Sequence, residues 1–163
     1  MKRLKSVTLT DQTKEKLLPI ILWVGILLIL VMIYELHPRI LADIISFFSG
    51  LTLSEVPGTG ISLPAPANPA THLNLYAAAF QFCLAFGFLE IGILGLRIFF
   101  HSTVPRKAET VENIVFWLGT SYLSITYLVR MTFASEWFVF WTGIILIFGL
   151  SLVARSFVIM ARR

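Results

Sequence analysis

Apolar residues in this chain come in long runs, and four of the runs reach spanning length: 17–36, 73–100, 111–133 and 136–160. A helix needs about 20 consecutive apolar residues to cross the hydrocarbon core, so each run predicts a transmembrane helix. The second is longer than a bilayer requires, which predicts tilt or projection beyond the hydrocarbon. The third and fourth are separated only by TFASE, a turn short enough to force an antiparallel helical hairpin.

Between the first two runs the pattern changes twice. In RILADIISFFSGL, 39–51, Ile40, Leu41, Ile44, Phe47, Phe48 and Leu51 recur at helical spacing, with Arg39, Asp43 and Ser46 on the other side. That predicts a short amphipathic helix lying along the membrane interface, with a re-entrant hairpin as the alternative. The stretch SEVPGTGISLPAPANPATH, 54–72, is dense in Pro, Gly and small residues and predicts an extended, partly polyproline tether to the second helix. An exposed docking segment is its alternative reading.

The expected fold class is therefore an all-α integral membrane protein, with four transmembrane helices in an antiparallel bundle. Its expected segments are a basic cytoplasmic N-terminal stretch (1–16), a first helix (17–36), an external loop (37–72), a second helix (73–101) and a cytoplasmic loop (102–110). A third helix (111–133), a fourth (136–160) and a cytoplasmic tail (161–163) complete it. Orientation follows from the basic residues. With the N-terminus inside, all but Arg39 and Arg130 of the 13 lysines and arginines fall on the cytoplasmic side, as the positive-inside rule demands. Tyr34, Tyr76, Tyr127, Trp137 and Trp141 then form an outer aromatic belt. Both termini are expected in the cytoplasm, and the plasma membrane is the expected location.

Composition sharpens this in three ways. With 57% hydrophobic and 13% charged residues the chain is too apolar for a water-soluble globule, in which about 25% charged residues is ordinary. The net charge of +4 is distributed by topology and not over a polar, stacking surface, so no nucleic-acid partner is expected. The single cysteine, Cys83, excludes an intrachain disulfide. The basic N-terminus imitates a secretory leader, but the apolar run behind it is long and lacks a small-x-small cleavage site, so it reads as a retained first helix.

Chemistry concentrates on the second helix. Tyr76, Cys83, Glu90 and Arg97 are each seven residues apart and so nearly superimpose at 100° per residue, with Ala79 and His101 close to the same line. Such a stripe has to face protein or water, since lipid offers it no partner. Ala79, Cys83 and Gly87 add a small-xxx-small run that favours close helix packing. On the third helix Asn113, Thr120, Ser124 and Tyr127 share a face, and on the fourth Thr142, Gly149 and Ser156 are seven apart. These faces are expected to turn inward, the hydroxyls acting as packing glue. A carboxylate at membrane depth costs several kcal/mol unless paired, protonated or wetted. Glu90 is therefore expected to pair with Arg97 or Arg155, or else to bind a proton or cation, or to face a partner subunit.

His37 ends the first helix and His72 opens the second, so the two approach one another across the mouth of the bundle. A bis-histidine haem or copper site is the minor reading, since no third ligand accompanies the pair; no cofactor is expected. His101, at the cytoplasmic end of its helix, sits where the helix dipole favours its charged form. No nucleophile stands beside a base, no acids pair at one depth, and no Gly-rich phosphate loop, HExxH or CxxC occurs. The expected function is association in the bilayer without catalysis, as an accessory subunit of a membrane complex or as a homo-oligomer. The rival is a small proton- or cation-coupled transporter or channel built on Glu90.

Overall fold

The computed structural model describes residues 11–131 and 133–161. The start of the basic N-terminal stretch (1–10) and the last two residues of the tail lie outside them. The chain is mostly helical: α1 (Asp11–Leu36), α2 (Ile40–Ser49), α3 (Leu73–Phe99), α4 (Val104–Leu123) and α5 (Ala134–Met160). Among the described residues three helical stretches are long and apolar enough to cross a membrane, namely Leu17–Leu36 of α1, Pro69–Phe99 ending in α3, and α5. Helix α4 is not among them, because its first nine residues carry Arg106, Lys107, Glu109 and Glu112.

The long helices form an open row, α1–α3–α4–α5. The seams α3–α4 and α4–α5 are extensive, α1 lies along α3, and α1 and α5 share no comparable seam. A closed bundle was the expectation from sequence. The row arises because each seam is keyed by a glycine that admits a branched side chain from one particular neighbour. A Cβ on Gly25 of α1 would fall 2.7 Å from Leu89, and one on Gly119 of α4 would fall 2.7 Å from Ile147. One on Gly143 of α5 would fall 2.8 Å from Leu123, and one on Gly87 of α3 would run into Leu118. These contacts consume both flanks of α3 and of α4 and one flank each of α1 and α5.

Helix α4 does not stop at Leu123 but widens into a π-turn over Ser124–Leu128, closed by the Val129 N–H on the Ser124 carbonyl at 2.9 Å. Ser124 Oγ donates back to the Thr120 carbonyl at 2.8 Å, a local bond that competes with regular α geometry. The widened turn delivers Leu128 and Met131 into an apolar cluster with Phe47, Tyr76, Leu123 and Phe140. Helix α5 then starts with the Glu136 carboxylate accepting the Phe133 N–H at 3.1 Å, which satisfies one of the donors a helix start leaves open.

The segment expected to be a polyproline tether is instead a β-hairpin. Strand β1 (Leu51–Glu55) pairs antiparallel with β2 (Ser62–Pro66), in the register Leu51↔Pro66 to Glu55↔Ser62. Proline cannot donate to a ladder, and here it does not have to. Val56 N–H bonds the Ile61 carbonyl and Ala67 N–H bonds the Gly50 carbonyl, so the hydrogen-bonded pairs fall on every second residue and leave Pro64 and Pro66 at the positions between. The Pro64 carbonyl points away from β1 and accepts the indole N–H of Trp137 at 3.1 Å, which fastens the hairpin to α5. Gly58 and Gly60 hold the tip with φ of 75° and 67°, the left-handed region glycine enters without penalty.

Candidate functional site

At the hairpin end, aromatic rings join four elements. Phe47 of α2 lies 5.3 Å from the His72 ring, 6.3 Å from Tyr76 and 5.6 Å from Trp137, centroid to centroid. Of the five residues expected to form an aromatic belt, Tyr76 and Trp137 belong to this cluster, while Tyr34 is exposed. Tyr76 is buried within the cluster, and its Oη has no hydrogen-bond partner among the described residues. His72 therefore serves as an aromatic wall here, not as a partner for His37. His37 bonds elsewhere: its Nδ1 lies 2.6 Å from Asn74 Oδ1 and its Nε2 lies 3.0 Å from Gln81 Oε1. Asn74 Nδ2 in turn donates to Asp43 of α2. Among the described residues no group of three or more His, Cys, Asp or Glu is placed to hold a metal ion.

Glu90 is buried, 3% exposed, in the α3–α4 seam. Among the described residues it forms no ion pair with an arginine. Asn113 Nδ2 donates to its Oε1 at 3.0 Å. Arg97 turns the other way, its guanidinium donating to the Arg106 carbonyl and standing 4.0 Å from Glu109. Arg155 of α5 bonds Glu112 of α4 at 2.9 Å. The first turns of α4 thus hold both neighbouring helices, with Glu109 and Asn113 facing α3 and Glu112 facing α5. Glu109 and Glu112 bind the arginines that were expected to serve Glu90.

The stripe on α3 does face protein for most of its length: Tyr76, Cys83 and Glu90 are buried and Arg97 is partly buried. Ala79 and His101 on the same line are exposed. On α4, Thr120 and Ser124 are buried while Tyr127 is half-buried. On α5 the expectation fails, since Thr142, Gly149 and Ser156 are all exposed. The face that meets α4 is the one carrying Phe140, Gly143, Ile147 and Ser151, selected by the meshing of Gly143 with Leu123 and of Ile147 with Gly119.

The Arg155–Glu112 pair has side chains 44% and 17% exposed. Half-exposed pairs are screened and contribute little, so Arg155→Leu is expected to cost no more than about 1 kcal/mol. Thermal unfolding in detergent checks this, and a loss of several kcal/mol would mark the pair as a main fastening of α5.

Compared with known proteins, the chain matches no family model, no curated protein and no solved structure.

Proposed function

We propose that this is a non-catalytic, multi-pass protein of the plasma membrane that works by helix association, as an accessory subunit of a larger complex or as a homo-oligomer. In this reading α1, α3, α4 and α5 are the four spans, both termini are cytoplasmic, and α2 with the hairpin forms the external cap. Helix α4 qualifies as a span despite its charges because it lies between α3 and α5, and Glu109 and Glu112 meet Arg97 and Arg155 there.

The observation that carries the proposal is the outward face of α5. Thr142, Gly149 and Ser156 repeat at seven-residue spacing on an exposed surface, and a Cβ on Gly149 would meet nothing within 4 Å. Small and hydroxyl-bearing residues are what membrane helices present to one another, because lipid gains nothing from them while a second helix gains close approach. With α5 at the edge of an open row, a partner helix has unobstructed access.

Crosslinking in native membranes tests it, using Gly149→Cys in a Cys83→Ala background with Leu27→Cys on α1 as a lipid-facing control. A disulfide-linked dimer specific to Gly149→Cys is expected for the homo-oligomer. A single heterologous adduct of constant mass, identified by mass spectrometry, is expected for the accessory subunit. No adduct from Gly149→Cys, together with a strictly monomeric protein by native mass spectrometry, would overturn the proposal.

A second reading is favoured by one specific observation: the partner of Glu90 is a neutral amide and not a guanidinium. A carboxylate left without a bonded cation at membrane depth is the usual sign of proton or cation handling. Under that reading Glu90→Gln abolishes flux in liposomes while the protein stays folded; unchanged flux, or none in the wild type, removes it.

A further inference from the structure

His37 follows the last residue of α1 with a ring that is 8% exposed, and both of its nitrogens are engaged by α3. The chemistry of the partners decides which nitrogen is free to change state. An ionised carboxylate only accepts hydrogen bonds, so Asp43 fixes the amide of Asn74: Nδ2 must face Asp43, which leaves Oδ1 toward the imidazole. Nδ1 of His37 therefore carries a hydrogen in either charge state. Nε2 is under no such constraint. Gln81 makes no other hydrogen bond among the described residues. A side-chain amide presents a carbonyl on one side and an NH2 on the other. Its oxygen accepts from Nε2–H when the ring is charged, and after a half-turn its NH2 donates to a bare Nε2 when the ring is neutral.

We propose that Nε2 of His37 is a proton-binding site at the hairpin end of α1, with the side-chain amide of Gln81 turning over as the proton binds. A pocket lined by Leu36, His37, Pro38, Arg39, Asp43 and Asn74 reaches the ring from the side of its Nδ1 partner, Asn74. The charged groups around it are Asp43 of α2, linked through Asn74, and Arg39 of the connecting turn. Helix α3 contributes only the neutral Asn74 and Gln81, and Glu35 of α1 is exposed.

The site acts on the most weakly held long helix, since α1 has its extensive seam with α3 alone. With the ring charged, both ties from His37 to α3 are charge-assisted and correspondingly strong. With the ring neutral, both are ordinary. The sign follows: the end of α1 is fastened more tightly when the ring is charged, and the extra fastening is lost when Nε2 gives up its proton.

The test is 15N NMR of the full chain, histidine-labelled and reconstituted in nanodiscs, from pH 5 to pH 8. The three histidines are separated by assigning His37 through His37→Gln. At the alkaline end His37 is expected as the Nδ1–H tautomer with an unprotonated Nε2, and on acidification Nε2 alone takes the proton. Gln81→Leu removes the acceptor for Nε2–H and is expected to move the midpoint to lower pH. Asp43→Asn is expected to release the tautomer lock and admit the Nε2–H form. A neutral His37 in the Nε2–H form in the wild type, 15N shifts that do not move between pH 5 and pH 8, or an unchanged midpoint in Gln81→Leu would each overturn the proposal.

Discussion

Replacing Asn113 by leucine is expected to destabilise the protein by about 3 kcal/mol, while Glu90→Gln is expected to stay within about 1 kcal/mol of wild type. The asymmetry follows from which group is left behind. Glu90 is 3% exposed, and its donor among the described residues is Asn113 Nδ2 at 3.0 Å. Leucine at 113 has nearly the shape of asparagine but no N–H, so the carboxylate stays buried without the bond that offsets its loss of water, and leaving a buried acceptor without its donor is the costly direction. Glutamine at 90 keeps a carbonyl oxygen for Asn113 and is cheaper to bury than a carboxylate. The double variant Glu90→Gln with Asn113→Leu strands only a neutral amide and should fall between the two. Thermal unfolding in mild detergent measures all three. Were Glu90 held by Arg97 or Arg155, as the sequence suggested, Glu90→Gln would strand a guanidinium and cost as much as Asn113→Leu. Equal losses would therefore overturn the Asn113 assignment. The predicted outcome also makes Glu90→Gln usable as a transport probe, because a lost flux could not then be blamed on a lost fold.

The three long apolar helices and the burial of most of the α3 stripe were legible because they rest on the local pattern: run length decides what is long and apolar enough to cross a membrane, and seven-residue spacing decides what lines up. The helix expected over 111–133 instead starts at Val104 and leaves regular α geometry after Leu123. What was not legible depends on pairing between distant elements. Thr142, Gly149 and Ser156 line up as well as Phe140, Ile147 and Ser151 do, and only the meshing of Gly119 with Ile147 and of Gly143 with Leu123 selects the second face for the interior. The hairpin was hidden by its prolines, which argue for an extended tether unless the ladder is known to leave alternate residues unbonded. Its one local signal is the turn VPGTG between LTLSE and ISLPAP. Both arginines were read as partners for Glu90, and Glu109 and Glu112 take them instead, a choice that depends on how α4 sits between α3 and α5. His37 was placed at a helix end beside His72, but its two amides, Asn74 and Gln81, carry no sequence mark that separates them from other polar residues near an interface.

Gly87→Val and Gly119→Val are each expected to cost about 2–3 kcal/mol, whereas Gly92→Val and, in the monomer, Gly149→Val are expected to be neutral or slightly stabilising. All four are helical glycines in apolar surroundings, so a residue-by-residue estimate would treat them alike and predict a small gain from replacing glycine. Their environments separate them. A Cβ at 87 would collide with Leu118, and one at 119 would lie 2.7–3.1 Å from three carbons of Ile147; at 92 and 149 nothing stands within 4 Å. Inserting a branched side chain into the first two seams forces either the neighbour off its rotamer or the helices apart, and overpacking of that kind typically costs 1–3 kcal/mol. Because Gly87 meets Leu118 and not backbone first, the cost has a specific remedy: Leu118→Ala opens the space that Gly87→Val fills. Leu118→Ala alone is expected to cost about 2 kcal/mol or more through the cavity it leaves, and the double variant should be more stable than the sum of the two losses by about 1–2 kcal/mol. A double-mutant cycle on thermal unfolding in detergent reads this directly. Additive losses would place Gly87 away from Leu118 and undo the α3–α4 seam. Equal costs at 87 and 92 would mean that the row α1–α3–α4–α5 is not the arrangement the helices adopt.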